Sequence, residues 1–371
     1  MASGAITVSV VKSGYWTFGK DPIRLPSEIP SELFTHLYAG FAKVDDDGRL
    51  VIPDEYLELF QLFTRTVRVR NPSVKTLLSI GGEGADLCPV VASKERRANL
   101  IRDSIDLARK FGFDGLDLCW LYPSNASRQK PLASLLSEWR HALDEELTKT
   151  ESPADKLLLT AAVFHHPVIS DTEGHIIFSY PIPDISKNLD WINVLAIDFY
   201  TPSNSPKGTG PVHAWDTRPM DRPKMCGKIG IEEWIKSGVE ANKLVLGLPF
   251  YGYEWKLLKE KTEFGFFAPA RVETSNSLSY RDILKELRRG IYKTEYSRSY
   301  EAVYSHEVNG KKWIGYDDGC SITGKVTKAL FVDFKLRGYF AWHLEDDDCN
   351  WTLSRSAFES SVEPPAPEAN P

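Results

Sequence analysis

Eight short apolar runs, separated by stretches that carry helical patterning, leave this chain very few folds to choose from. They fall at residues 7–11, 37–42, 76–80, 115–120, 157–163, 193–198, 244–248 and 338–342. Two of them, Lys75-Thr-Leu-Leu-Ser-Ile and Lys243-Leu-Val-Leu-Gly-Leu, are nearly continuous in apolar residues, the pattern of parallel strands buried on both faces. Residues 96–111 and 132–147 repeat apolar side chains at helical spacing and read as crossover helices. Strands that alternate with helices give an α/β chain with a parallel sheet, and eight strands are the number a closed (β/α)8 TIM barrel needs. Residues 251–325, between the seventh and eighth runs, are rich in Tyr, Ser and charge, with strand-like pieces at 302–304 and 313–316. This divides the chain into a barrel (1–250 and 326–361), an inserted module (251–325) and a Pro-rich tail (362–371) expected to be disordered.

A length of 371 residues with 42 % hydrophobic content suits one large domain with an insertion. The net charge of −6 and the lack of a basic run argue against nucleic acid as a partner. No apolar stretch is long enough to span a membrane. We expect a monomer that uses no cofactor. Ten tryptophans within 12 % aromatic residues would serve a carbohydrate-binding surface or an ordinary core equally well. Cys88, Cys119, Cys226, Cys320 and Cys349 show no metal-type spacing, so no metal site is expected; Cys320 and Cys349 could pair across the C-terminal region. The first ten residues lack the charged start and long apolar core of a secretory leader. A complete chain would therefore be cytosolic, and a processed one secreted or vacuolar. In the second case Asn125 and Asn350 head glycosylation sequons.

Residues 112–123 read Gly-Phe-Asp-Gly-Leu-Asp-Leu-Cys-Trp-Leu-Tyr-Pro. The run resembles the fourth-strand signature of family-18 glycoside hydrolases, Asp-x-x-Asp-x-Asp-x-Glu ending in Tyr-Pro. Other stretches stand in the same order and spacing as in plant class V chitinases: Ser13-Gly-Tyr-Trp, Phe34-Thr-His-Leu, Ser79-Ile-Gly-Gly, Leu189-Asp-Trp-Ile-Asn, Leu244-Val-Leu-Gly-Leu-Pro-Phe-Tyr-Gly-Tyr and Gly338-Tyr-Phe-Ala-Trp-His. The resemblance covers nearly the whole chain. It implies a TIM barrel whose 251–325 segment is a small α+β module walling a sugar cleft.

It also implies a chemistry, from which this chain departs. In the family a glutamic acid protonates the glycosidic oxygen while the sugar's own acetamide attacks the anomeric carbon, an exception to the usual two-carboxylate scheme. Asp114 and Asp117 match the first two aspartates, but Cys119 stands at the third and Leu121 at the glutamic acid. The strand-six pattern Met-x-Tyr-Asp reads Leu195-Ala-Ile-Asp here, so Asp198 matches and Ile197 replaces the tyrosine. Trp342 matches the tryptophan under the central sugar, and Tyr15, Phe41 and Gly82 match residues of the barrel mouth. Tyr200 and Tyr251 complete the expected ligand-binding set. A positioned acid contributes ~10²–10⁴ in rate, and leucine has no proton to give.

One expectation is a chitinase-like protein that binds N-acetylglucosamine oligosaccharides, or a related ligand, without cutting them. The alternative is an enzyme of plant specialised metabolism that stabilises a cationic small-molecule intermediate, with Asp117, Asp198, His165 and His166 as candidate acid–base groups. The histidine pair follows Thr160-Ala-Ala-Val-Phe at the end of the fifth run. Barrel sites lie at such ends, but adjacent residues on a strand point opposite ways, so one of the pair at most faces the pocket, and both are equally readable as surface-loop residues. Cys119 reads as a packed, inert thiol, since nothing beside it would lower its pKa. Burial should raise the pKa of Asp117.

Overall fold

The structure, a computed structural model, describes residues 9–18, 24–121, 123, 126–149, 156–171, 173–220, 225–258, 264–273 and 277–362. The eight barrel strands are β1 (Val11–Thr17), β2 (His36–Val44), β3 (Lys75–Gly81), β4 (Gly115–Cys119), β5 (Leu158–Phe164), β6 (Trp191–Leu195), β7 (Leu244–Pro249) and β8 (Gly338–Trp342). Each pairs in parallel with the next, and β8 pairs with β1, closing the barrel.

The apolar runs are continuous because each strand buries both faces. In β4, Leu116 and Leu118 join the cluster packed under the helices, while Cys119 joins the cluster inside the barrel. Helices Asp54–Val67, Lys94–Phe111 and Gln129–Leu147 follow β2, β3 and β4. Ser93 caps the second of these by accepting from the Arg96 N–H, and Gly112 ends it at φ 74°, a left-handed turn that glycine adopts at little cost. Two residues on, Asp114 accepts two hydrogen bonds from Arg68, at 2.9 and 2.7 Å, and one from the Thr76 N–H at 2.7 Å. It pins the entry to β4, at the opposite end of the strand from Cys119.

The inserted module forms an antiparallel sheet in the order Ala270–Arg271, Tyr251–Leu257, Lys312–Tyr316, Ala302–Glu307, Tyr292–Ser297, with the helix Tyr280–Leu287 against it. The strand-like pieces at 302–304 and 313–316 lie within two of these strands. The sheet ends at Tyr316, and the helix Gly319–Thr327 packs on the C-terminal helix Thr352–Ser360. The expected boundary at 325 therefore falls inside a helix that belongs to the barrel's outer layer.

Three more expectations are adjusted, and two others fall outside the described residues. The first strand runs Val11–Thr17 where 7–11 was expected, and residues 7 and 8 lie outside the described residues. The β-branched residues Thr7, Val8, Val10 and Val11 supply a strong strand signal, but the paired register belongs to the segment that carries Tyr15 and Trp16 into two cores. The sixth strand stops at Leu195, short of Asp198, whose φ of 62° turns the chain out of the sheet. All five cysteines are free, and Cys320 and Cys349 are exposed. Residues 363–371 of the expected tail, and Asn125 of the first sequon, lie outside the described residues.

Candidate ligand site at the barrel mouth

The barrel interior is organised around one carboxyl group. Asp117 is fully buried and accepts from the Tyr15 hydroxyl at 2.9 Å, the Ser79 hydroxyl at 2.7 Å and the Thr160 hydroxyl at 2.7 Å. Asn193 Nδ2 donates to the Tyr15 hydroxyl at 2.7 Å, and Trp191 Nε1 to the Tyr38 hydroxyl at 3.0 Å. Tyr15 and Tyr38 stack with ring centres 4.2 Å apart. Burial raises the Asp117 pKa, and the hydroxyls of Thr160, Ser79 and Tyr15 oppose the shift. This network draws on β1 through β6, so it is a cross-brace of the barrel.

Above it the lining turns apolar. Cys119, Leu121, Leu195, Ile197, Phe41 and Trp342 belong to one buried cluster with Tyr15 and Tyr251. The Cys119 thiol is buried, and that burial together with the charge of Asp117 pushes its pKa well above the usual thiol value. It is a neutral, inert group. The Trp342 ring meets Tyr15 edge-on at 5.0 Å and Phe41 at 6.1 Å. Gly82, at φ 87°, leaves room for Phe41: a Cβ there would lie 2.4 Å from the ring.

The polar feature at the rim is Asp198. Tyr251 donates to Asp198 Oδ2 at 2.8 Å, whereas Oδ1 is buried and finds no hydrogen-bond partner among the described residues. Burial pushes this carboxyl up to about 7, against the hydroxyls of Tyr251 and Tyr253, while Glu83 adds to the rise. Its backbone N–H donates to His213 Nδ1 at 3.1 Å, and His213 Nε2 lies 3.2 Å from the Tyr251 carbonyl. A ring nitrogen that faces an N–H accepts and one that faces a carbonyl donates, so His213 is the neutral Nε2–H tautomer. Burial, then the charge of Lys325, holds its pKa well below the usual value. Lys325 is itself buried, donating to the His213 carbonyl and to Asp317 Oδ2, both at 2.5 Å. A buried ion pair thus anchors the histidine that anchors Asp198.

The other expected residues lie elsewhere. His165 packs on the Phe164 and Phe199 rings, at 4.0 and 5.1 Å, with its backbone against Gly230 of the helix Gly227–Lys236. Burial, then its neighbour His166, lowers its pKa to about 3. His166 Nδ1 is held against the Val168 backbone in a local turn, 2.9 Å from its carbonyl oxygen and 3.1 Å from its nitrogen. The histidine placed beside Asp198 is instead His213, whose position in a long loop gave no sequence signal. Tyr200 packs over Gly210 and against Phe267 of the module. Ser79, Thr160 and Asn193 lie within the quoted stretches but are not among the expected site residues, although each is a polar residue at an inward position of an apolar strand. Among the described residues no group of three or more His, Cys, Asp or Glu side chains is placed to hold a metal.

The family model for glycosyl hydrolases family 18 matches residues 10–347. A class V chitinase of Arabidopsis thaliana is 38 % identical over 361 residues, covering 95 % of this chain and 90 % of that protein. The solved structure of a class V chitinase from Nicotiana tobaccum in complex with NAG4 superposes with a TM-score of 0.87 at 37 % identity, over 96 % of this chain and 99 % of the other. A chitinase-like agglutinin from Robinia pseudoacacia superposes with a TM-score of 0.83 at 39 % identity, covering 95 % and 99 %.

Proposed function

The chain belongs to glycosyl hydrolases family 18, and on that premise we propose that its barrel mouth binds N-acetylglucosamine oligosaccharides without hydrolysing them. One observation carries the reading. At the end of β4, where the family resemblance calls for a carboxylic acid, Leu121 is buried among Cys119, Ile197 and Trp342. A leucine donates no proton at any pH. Asp117, two inward positions deeper, is committed to three hydroxyl donors and has no exposed surface. Cys119 stays a neutral thiol, which stabilises a cationic oxazolinium far less than a carboxylate does. The aromatic parts of a sugar site remain in Phe41 and Trp342, with Tyr15 buried beneath them, and contact with such rings does not need an acid at 121. The likeness to an agglutinin and to a chitinase crystallised with NAG4 supports the same reading.

A second reading rests on Asp198. A carboxyl that titrates at about 7 beside a neutral histidine, in an apolar pocket, has the pKa expected of a general acid–base group. It would suit an enzyme that handles a small cationic intermediate, with His213 rather than His165 or His166 orienting the acid. One experiment separates the two. Chitotetraose is titrated into the protein while tryptophan fluorescence is followed, and released reducing ends are assayed in the same samples. Saturable quenching without cleavage supports the binding protein. Cleavage refutes it, and no quenching at millimolar sugar turns the search to cationic metabolites and Asp198→Asn.

A further inference from the structure

The N-terminal face of the barrel, opposite the mouth, carries a second concave site. It lies between the helix Gln129–Leu147 and the entries to β5, β6, β7 and β8, with a volume of about 520 Å³, within the ~300–1,000 Å³ usual for small-molecule pockets. Among the described residues its lining is charged and one-sided: Arg140, Lys156, Lys187, Lys243 and Arg337 against Asp144 and Asp190. Asp190 is already engaged, accepting from Arg140 Nη2 and from the Leu159 N–H, both at 2.8 Å. The whole chain carries −6, so this concentration of cations runs against its overall charge.

Arg140 also donates from Nε to the Asn188 carbonyl at 2.7 Å, yet two guanidinium nitrogens of the site are left over. Arg140 Nη1 and Arg337 Nε are buried and have no acceptor among the described residues. A guanidinium donor buried without an acceptor carries an unrepaid desolvation cost. The Arg337 guanidinium lies over the Trp191 ring at 5.0 Å, and Lys243 Nζ is held by the Ser186 and Leu189 carbonyls at 2.5 and 3.0 Å. Burial lowers the Lys243 pKa; Asp190 and Glu240 oppose the shift, and Arg140 and Arg337 add to it. The cations are thus crowded together on fixed supports.

We propose that this pocket binds a phosphate-bearing small molecule. The excess of three positive charges matches a phosphomonoester or pyrophosphate better than a single carboxylate, and guanidinium groups fit phosphate oxygens as a planar fork. Low-dielectric walls lined by one sign of charge concentrate the field on such a ligand.

The test is isothermal titration of the full chain with sodium pyrophosphate, beside co-sedimentation with phosphatidylcholine vesicles made with and without phosphatidic acid. We expect saturable pyrophosphate binding that weakens as sodium chloride is added. Arg337→Gln should weaken it at least about tenfold, the loss of a charge-assisted hydrogen bond. Lys156 and Lys187 are exposed, so the double variant Lys156→Gln/Lys187→Gln keeps the fold even if Arg337→Gln does not. It should weaken pyrophosphate binding while leaving chitotetraose binding at the far end unchanged. Pyrophosphate binding alone assigns a free phosphorylated metabolite, and binding with retention on phosphatidic acid vesicles assigns a lipid headgroup. No saturable binding by the wild-type chain, equal binding by the lysine variant, or vesicle retention without pyrophosphate binding would overturn the proposal.

Discussion

Asp198→Asn should remove a pH-dependent penalty on folding. The carboxyl titrates at about 7 in the folded chain against an ordinary value of 3.8, with burial as the main cause. Between those two values the folded state holds a proton that the unfolded chain has released. Stability contributed by this residue is therefore full below 3.8 and falls as pH rises toward 7, by ~1.4 kcal/mol per pH unit. Over the window this amounts to about 4 kcal/mol, trimmed toward ~3 kcal/mol because water reaches a side chain that is 26 % exposed. Asparagine has the same shape and can still accept from Tyr251, but it carries no charge to bury.

The wild-type pH profile alone would not isolate this effect. Burial lowers the pKa of His36 to about 4 and of His165 to about 3, and holds His213 well down; these groups make stability rise with pH until their unfolded value near 6.5 is passed. Asp347, pushed up to about 6 by burial, acts in the same direction as Asp198. The difference between wild type and Asp198→Asn cancels all of them. Urea unfolding of both proteins from pH 4 to pH 8 should show the variant gaining steadily on the wild type, then levelling off above about 7. A constant difference across that range would mean that Asp198 is an ordinary ionised carboxylate, and the second reading of the site would fall with it.

Restoring the family's acid and aspartate in the double variant Leu121→Glu/Cys119→Asp should produce measurable reducing ends from chitotetraose, though below the ~10²–10⁴ that a well-positioned acid supplies, because Ile197 still lacks a hydroxyl; complete inactivity would show that the pocket cannot hold the sugar productively. Gly82→Ala should destabilise the fold by ~1–3 kcal/mol and weaken sugar binding, since its Cβ would sit 2.4 Å from the Phe41 ring at a φ of 87°; a thermal melt and a chitotetraose titration check the two effects. Lys325→Met leaves Asp317 buried without its cation and should cost ~3–5 kcal/mol in urea; a loss under ~1 kcal/mol would mean that the pair does not anchor His213.

The barrel was legible because its signal is local and repeated. A parallel strand buried on both faces must be apolar throughout, and runs such as 244–248 announce themselves without any knowledge of their partners. β1 shows the limit: the β-branched residues at 7–11 obey the same local rule, yet pairing with β2 and β8 runs from Val11 through Thr17. Local propensity cannot see which segment a closing barrel needs.

The site divides along the same line. Asp117 and Trp342 were readable because they lie on strands in spacings that the family resemblance supplies. Ser79, Thr160 and Asn193 were readable in principle, since a polar side chain at an inward position of an apolar strand must find a partner in the interior. His213 was not, because what places it beside Asp198 is a relay over long separations: Asp317 holds Lys325, Lys325 holds the His213 carbonyl, and His213 accepts the Asp198 N–H. His165 and His166, adjacent to a strand end, looked better placed, yet the strand's alternation that argued for one of them also turns His165 toward Phe199 and Gly230. A sequence shows which side chain stands at each position of a strand end, here a leucine at 121. The group that now titrates near neutrality is set by burial and by contacts from across the fold, so it emerges only when the chain is closed.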